Sequence, residues 1–139
     1  MPSTLMVTDE PYLLTTILGS CVSVCFYDSV RQVGGMTHFL LPNIVEHEEP
    51  SPKFGDFAIQ QTLLKMQALG SKRKTIIAKV FGGANQSGSS LNMGARNVAL
   101  ALKLLEKYSI QVVAKSVLGE RGRKINFNTQ TGEVLVKYI

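Results

Sequence analysis

A thiol and an imidazole lie seventeen residues apart in the first third of the chain. Cys21 directly follows Gly19 and Ser20, and His38 lies on the next predicted strand. A neighbouring imidazolium lowers the pKa of a cysteine and generates the thiolate, which is the nucleophilic form. The pair therefore fits a cysteine hydrolase. Free cysteine is also among the most buried residue types, so on the residues alone Cys21 fits a small core side chain as well.

The two cysteines of the chain lie at the start of one predicted strand: Cys21 directly precedes Val22, where the strand begins, and Cys25 lies within it. Side chains alternate between the faces of a strand, so Cys21 and Cys25 share one face, and Val22, Val24 and Phe26 share the other. We expect the apolar trio to face a core, Cys21 to be accessible, and Cys25 to pack beneath a covering element. The two cysteine Cα atoms would lie roughly 13 Å apart along the strand, which excludes a disulfide between them.

The spacing of apolar residues predicts the elements that must position these groups. Strands are expected over residues 12–18, 22–27, 34–41, 75–81, 111–118, 124–128 and 134–138. Asp56 is predicted to cap one helix, which ends at Gly70, and Asn92 to cap a second. The segment 129–132 between the last two strands predicts a hairpin. Because strands outnumber helices and the first three have short connections, we expect an α+β fold with mixed or antiparallel sheets and two flanking helices.

Composition and charge narrow the function classes. The 139 residues are 45% hydrophobic and 18% charged, which predicts a single domain over residues 1–139. We expect neither a membrane span nor a signal peptide, and hence a cytoplasmic protein. The net charge of +5 favours an acidic partner. The basic clusters at 72–74 and 121–124 are short, and we interpret them as solvated turns and expect no binding of nucleic acid.

A metal site is not expected. Cys21, Cys25 and His38 lack a fourth ligand, and a strand would hold the two sulfurs too far apart for one ion. His47 lies among glutamates in the loop 44–52, but that segment lacks a recognised ligand spacing. We interpret this acidic loop as a variable surface segment.

A glycine-rich segment, residues 82–90, precedes the second predicted helix. Gly83 and Gly88 have the glycine spacing of a phosphate-binding P-loop, yet Ser89 stands where that motif requires lysine. We therefore interpret the segment as a covering loop.

Five separated blocks of sequence resemble the CheD family of chemoreceptor glutamine deamidases. They are GSCV at 19–22, GGMTHFLLP at 34–42, AKVFGGA at 78–84, NMGARN at 92–97 and GRK at 122–124. The blocks follow the family order, and the resemblance covers about residues 12–138. It implies hydrolysis of glutamine side-chain amides on bacterial chemoreceptors, giving glutamate and ammonia without a cofactor. It also implies a layered β-sandwich with flanking helices, similar to that of bacterial toxin deamidases.

The resemblance assigns roles to individual residues. The family's catalytic Cys, His and Thr correspond here to Cys21 as nucleophile, His38 as general base and acid, and Thr15 as the residue that orients His38. Thr16 is adjacent to Thr15, and the sequence leaves the choice between them open. The Cys21 backbone N–H is expected to stabilise the oxyanion. The other candidates for the oxyanion or substrate contacts are Gly19, Ser20, Gly82, Gly83 and Asn97.

The resemblance also implies partners. These are the cytoplasmic domains of methyl-accepting chemoreceptors and a phosphatase of the CheC type. Two other functions remain open on the sequence. One is a non-catalytic adaptor that binds such a phosphatase or a receptor, and the other is hydrolysis of receptor glutamate methyl esters at the same site.

Overall fold

The computed structural model describes residues 4–139, which form eight strands and two α-helices. The first half of the chain contains β1 (Thr4–Thr8), β2 (Leu13–Leu18), β3 (Val22–Asp28), β4 (Val33–His38) and helix α1 (Gly55–Ala68). The second half contains β5 (Ile76–Gly82), helix α2 (Met93–Lys107), β6 (Gln111–Val117), β7 (Arg123–Asn128) and β8 (Val134–Tyr138). A short 3-10 turn, Arg73–Thr75, precedes β5.

The strands form two sheets. The larger has the order β1-β4-β3-β5-β6 and is mixed, because β5 and β6 pair in parallel through the crossover helix α2 while its other pairs are antiparallel. The smaller has the order β2-β7-β8 and is antiparallel throughout. The α+β prediction is therefore confirmed. The predicted hairpin is also present, since β7 and β8 pair across residues 129–133.

Strand β3 lies at the centre of the larger sheet, and every one of its residues is buried. Its side chains Val22, Val24 and Phe26 pack in a core shared with α1 and α2. Cys25, on the opposite face, packs in a second core between the two sheets, together with Ile125 and other residues of β2, β4, β5 and β7. The predicted alternation along this strand is confirmed, and the order of layers is helices, larger sheet, smaller sheet.

Two details of the predicted elements were wrong. The sequence did not predict β1, a strand of five residues that pairs with β4 at one edge of the larger sheet. Asp56 does not cap α1, because the cap position is Phe54, which makes no side-chain cap bond. The Asp56 carboxylate instead accepts the backbone N–H groups of Ile44 and Phe57 at 3.0 and 2.9 Å. The prediction for α2 is confirmed, since the Asn92 side chain accepts the N–H of Ala95 at 3.1 Å.

Candidate active site

Cys21 and His38 flank one hydrogen-bonded residue pair on neighbouring strands. The N–H of Val22 donates to the carbonyl of Phe39 at 3.1 Å, and the N–H of Phe39 donates to the carbonyl of Val22 at 3.0 Å. Cys21 precedes one member of this pair and His38 precedes the other. The two are therefore diagonal neighbours on one face of an antiparallel pair, a relation that separates residues by roughly 7–8 Å. Val22 and Phe39 face the helices, so Cys21 and His38 face the smaller sheet.

Thr16 contacts the imidazole from the smaller sheet. Its Oγ1 lies 2.8 Å from Nδ1 of His38. Both side chains are buried, with exposed fractions of 2% for Thr16 and 4% for His38. The contact fixes the plane of the ring and leaves Nε2 as the nitrogen available to a thiol. Cys21 directly precedes β3, His38 ends β4 and Thr16 lies within β2. The three side chains thus come from different strands and face the space between the two sheets.

The prediction that Thr15 orients His38 is contradicted. Thr15 points to the outer face of β2, where its hydroxyl donates to Oδ1 of Asn126 at 2.7 Å in an exposed hydrogen bond. Neighbouring residues of a strand project to opposite faces, so only one of the two threonines can reach between the sheets. That residue is Thr16.

The corner before β3 is held by backbone hydrogen bonds to the glycine-rich segment. The carbonyl of Cys21 accepts the N–H of Gly83 at 2.9 Å, and the carbonyl of Gly19 accepts the N–H of Ala84 at 2.9 Å. Gly82 has a φ of 102°, and a Cβ there would overlap the carbonyl of Cys21. Only glycine fits that position, because the left-handed backbone and the close approach both exclude a side chain.

These bonds decide which of the predicted oxyanion groups are available. Gly82 and Gly83 are buried, and the N–H of Gly83 is donated to the carbonyl of Cys21, so this N–H is not free to bind an oxyanion. Within residues 4–139 no backbone carbonyl accepts a hydrogen bond from the N–H of Ser20 or of Cys21. The corner therefore keeps two donors beside the thiol.

Asn97 supports the backbone around Cys21 and His38 from helix α2. Its side chain is fully buried on α2. The amide Nδ2 donates to the carbonyls of Ser20 and Leu40, each at 3.0 Å. Ser20 precedes Cys21, and Leu40 lies two residues after His38. One amide group therefore ties the segment of the thiol to the segment of the imidazole.

Arg123 is a second buried support. Its guanidinium donates to Oγ of Ser116 at 3.0 Å, to the carbonyl of Leu118 at 2.7 Å and to the carbonyl of Gly82 at 3.4 Å. The side chain is 2% exposed, which contradicts the interpretation of the cluster 121–124 as solvated. Its alternation with the inward residues Ile125 and Phe127 of β7 was a signal that could have identified it.

Burial controls the protonation of the two reactive groups. It raises the pKa of the Cys21 thiol above the ordinary 9.0, and it lowers the pKa of the His38 imidazole below the ordinary 6.5. Burial thus favours the neutral form of both the thiol and the imidazole. The same cause strongly raises the pKa of the Cys25 thiol, which is enclosed between the sheets.

Comparison with known proteins places this arrangement in a family. A family model described as CheD chemotactic sensory transduction matches residues 40–138. A "Probable chemoreceptor glutamine deamidase CheD" of Sulfurimonas denitrificans is 39% identical, over 99% of this chain and 90% of the relative. One of Anaeromyxobacter dehalogenans is 44% identical, over 96% of this chain and 79% of the relative. The chain belongs to the CheD family.

The family model begins after His38, so the likeness of the segment with Cys21 and His38 rests on the relatives that align with nearly the whole chain. Among solved structures, the CheD-family chain is similar to the Bacillus licheniformis hypothetical protein YfiH. The TM-score is 0.56 at 20% identity, covering 84% of this chain and 51% of the other. At that identity the likeness concerns the fold alone.

Two further observations concern metal sites and membrane-spanning helices. In the part of the chain that the structure describes, no group of three or more His, Cys, Asp or Glu side chains is placed to hold a metal ion. No helix formed by residues 4–139 has the length and apolar character needed to cross a membrane.

Proposed function

We propose that this protein hydrolyses glutamine side-chain amides on the cytoplasmic domains of chemoreceptors, as a cysteine amidohydrolase. The observation that carries the proposal is the buried contact between Thr16 and His38, on the same face as Cys21. A nucleophile, a base and a residue that orients the base form the arrangement shared by catalytic triads on unrelated folds. The names of the relatives supply the substrate class.

The proposed reaction begins with proton transfer from the Cys21 thiol to Nε2 of His38. This requires the tautomer in which Nδ1–H donates to Thr16 Oγ1, so that Nε2 carries the lone pair. The thiolate then attacks the amide carbon of the glutamine, and the imidazolium returns the proton to the departing ammonia. Water, deprotonated by His38, hydrolyses the thioester, releases glutamate and restores the thiol.

The negative charge that develops on the amide oxygen needs donors close to Cys21. The unused N–H groups of Ser20 and Cys21 are the proposed oxyanion hole. Their positions are fixed before substrate arrives, because the carbonyls of Gly19, Ser20 and Cys21 are all bonded to neighbouring segments. Gly19 and Ser20 thereby remain candidates for contact with the substrate.

The partners follow from the same proposal. Chemoreceptor cytoplasmic domains would be the protein substrate, which implies a cytoplasmic address for this chain. The net charge of +5 favours association with an acidic protein surface. A CheC-type phosphatase remains a predicted second partner.

The decisive experiment is incubation of the protein with a receptor cytoplasmic fragment, followed by mass spectrometry of its glutamine-containing peptides. The wild type should convert specific glutamines to glutamate. The variants Cys21→Ala and His38→Ala should lose this activity, whereas Cys25→Ala is the matched control for loss of a thiol and should keep it.

Two results would replace the proposal by one of its alternatives. Tight binding of the fragment without any conversion by the wild type would indicate an adaptor. Release of methanol from methylated fragments without any conversion of glutamine would indicate an esterase at the same site.

A further inference from the structure

A cleft of about 250 Å³ opens beside the residue that precedes the nucleophile. One wall is Ser20, and the others come from the segment 84–89 and from the beginning of α2 at Met93 and Gly94. The volume is smaller than the roughly 300–1,000 Å³ of typical small-molecule sites. It suits one side chain of a protein substrate better than a cofactor.

Gln86 extends from that segment across the catalytic corner. Its Oε1 lies 2.6 Å from the position that a Cβ on Gly19 would occupy, and its Nε2 lies 3.2 Å from the corresponding position on Gly122. The φ of Gly19 is not in the left-handed region, so the backbone alone does not require glycine there. A side chain at position 19 would instead occupy the space of the Gln86 carboxamide.

The backbone of this segment is held firmly, whereas the carboxamide of Gln86 is unused. The N–H of Ala84 donates to Gly19 at 2.9 Å, and the N–H of Asn85 donates to Gly119 at 2.8 Å. The Gln86 side chain is exposed, and within residues 4–139 no protein group forms a hydrogen bond with its Oε1 or Nε2. A carboxamide offers two donors and one acceptor. Here all of them remain available beside a corner that lies two residues before Cys21.

We propose that Gln86 recognises the carboxamide of the substrate glutamine and makes the site prefer an amide over an ester. Its Nε2–H donates to the carbonyl oxygen of the substrate, and its Oε1 accepts an N–H of the substrate amide. A methyl ester has no N–H, so it leaves Oε1 without a donor. A site built to bond an N–H discriminates strongly against an analogue that lacks it. This inference rests on the proposed amide hydrolysis.

The test compares Gln86→Met, which keeps the length of the side chain and removes its hydrogen bonds, with the wild type. Gln67→Met is the matched control, because Gln67 is an exposed residue of α1 that does not line the cleft. Two substrates are used: a receptor cytoplasmic fragment with glutamine at the reactive position, and the same fragment with glutamate methyl ester there. Thermal unfolding and the rate of Cys21 alkylation by iodoacetamide are measured for each variant.

Gln86→Met should lower kcat/KM for the amide by about 10- to 100-fold, the effect of losing two neutral hydrogen bonds. It should lower kcat/KM for the ester by a smaller factor, and leave the melting temperature and the alkylation rate unchanged. Gln67→Met should match the wild type on both substrates.

An amide rate within twofold of wild type, or equal losses on amide and ester, would overturn the role of Gln86 while leaving the proposed function intact. A wild type inactive towards the amide would overturn the proposed function itself and this inference with it.

Discussion

The two cysteines share one face, Cys21 directly before β3 and Cys25 within it, and they differ in what surrounds them. Cys21 is at the head of the strand, partly exposed, with an imidazole diagonal to it and free N–H donors beside it. Cys25 is in the middle of the strand, buried between the sheets with Met36 opposite. The same thiol is therefore a candidate nucleophile where the strand begins and a core side chain where both sheets cover it.

The comparison teaches that reactivity here depends on position along the strand. The ladder between β3 and β4 closes at the pair formed by Val22 and Phe39, and the site lies where this regular pairing ends. At a strand end some backbone groups have no partner on a neighbouring strand. At the corner before Val22 these are the N–H groups of Ser20 and Cys21, which are the proposed oxyanion hole.

The largest expected contrast is in alkylation of the native protein. Iodoacetamide should modify Cys21 at least about 100-fold faster than Cys25, because Cys25 becomes accessible only when the sheets separate. Peptide mass spectrometry after timed labelling measures both rates. In denaturant the two thiols should react alike. Equal rates in the native protein would remove the distinction between the two positions.

The next contrast concerns the two adjacent threonines. Thr16→Val should lower kcat for glutamine hydrolysis by about 10- to 100-fold, because a buried imidazole loses its hydrogen-bond partner. Thr15→Val, the matched control on the outer face, should change kcat by less than about twofold, since its bond to Asn126 is exposed. A larger effect at Thr15 than at Thr16 would show that the contact with His38 is not catalytic.

The third prediction concerns Asn97 and the free energy of unfolding. Asn97→Ala removes two buried hydrogen bonds and should lower the free energy of unfolding by about 1–3 kcal/mol in urea denaturation. Asn126→Ala, which removes one exposed bond, is the control and should cost less than about 0.5 kcal/mol. Equal costs at the two positions would mean that Asn97 does not hold the segments of Cys21 and His38 together.

The smallest effect is a displacement along the pH axis. His38 must be neutral to accept the thiol proton, and burial lowers its pKa, so the acid limb of kcat/KM should have its midpoint below pH 6.5. Burial raises the pKa of the Cys21 thiol, so its alkylation rate should still be rising above pH 9.0. Initial-rate measurements of glutamine hydrolysis and of Cys21 alkylation across a range of pH determine the two midpoints. Midpoints between those values would instead indicate an ion pair in the free protein.

Much of the fold followed from short-range patterns. Alternation identified the faces of β3, and the Asn92 cap identified the start of α2. The first strand was missed because its residues are only partly buried at a sheet edge, where the apolar pattern is weak. Asp56 was assigned to a cap because its position suits one, but its carboxylate bonds Ile44 across a loop, a contact that local sequence does not encode.

The threonine that contacts His38 shows how far the sequence could predict the site. Strand β2 carries aliphatic residues on both faces, with Leu14 and Leu18 on one and Leu13 and Ile17 on the other. Its hydrophobic pattern therefore does not say which face turns inward. Pairing of β2 with β7, and packing of that sheet against β4, turns Thr16 towards His38 and Thr15 towards solvent.

The sequence by itself determined the candidate thiol and base, the faces of their strands and the resemblance to the CheD family, because these depend on residue type and local period. Only the tertiary structure decided that Thr16 meets His38, that Asn97 and Arg123 are buried supports, and that Gln86 lies over the Gly19 corner. Those contacts join residues that are distant in the chain. Their geometry follows from how two sheets and a helix pack, which no local pattern specifies.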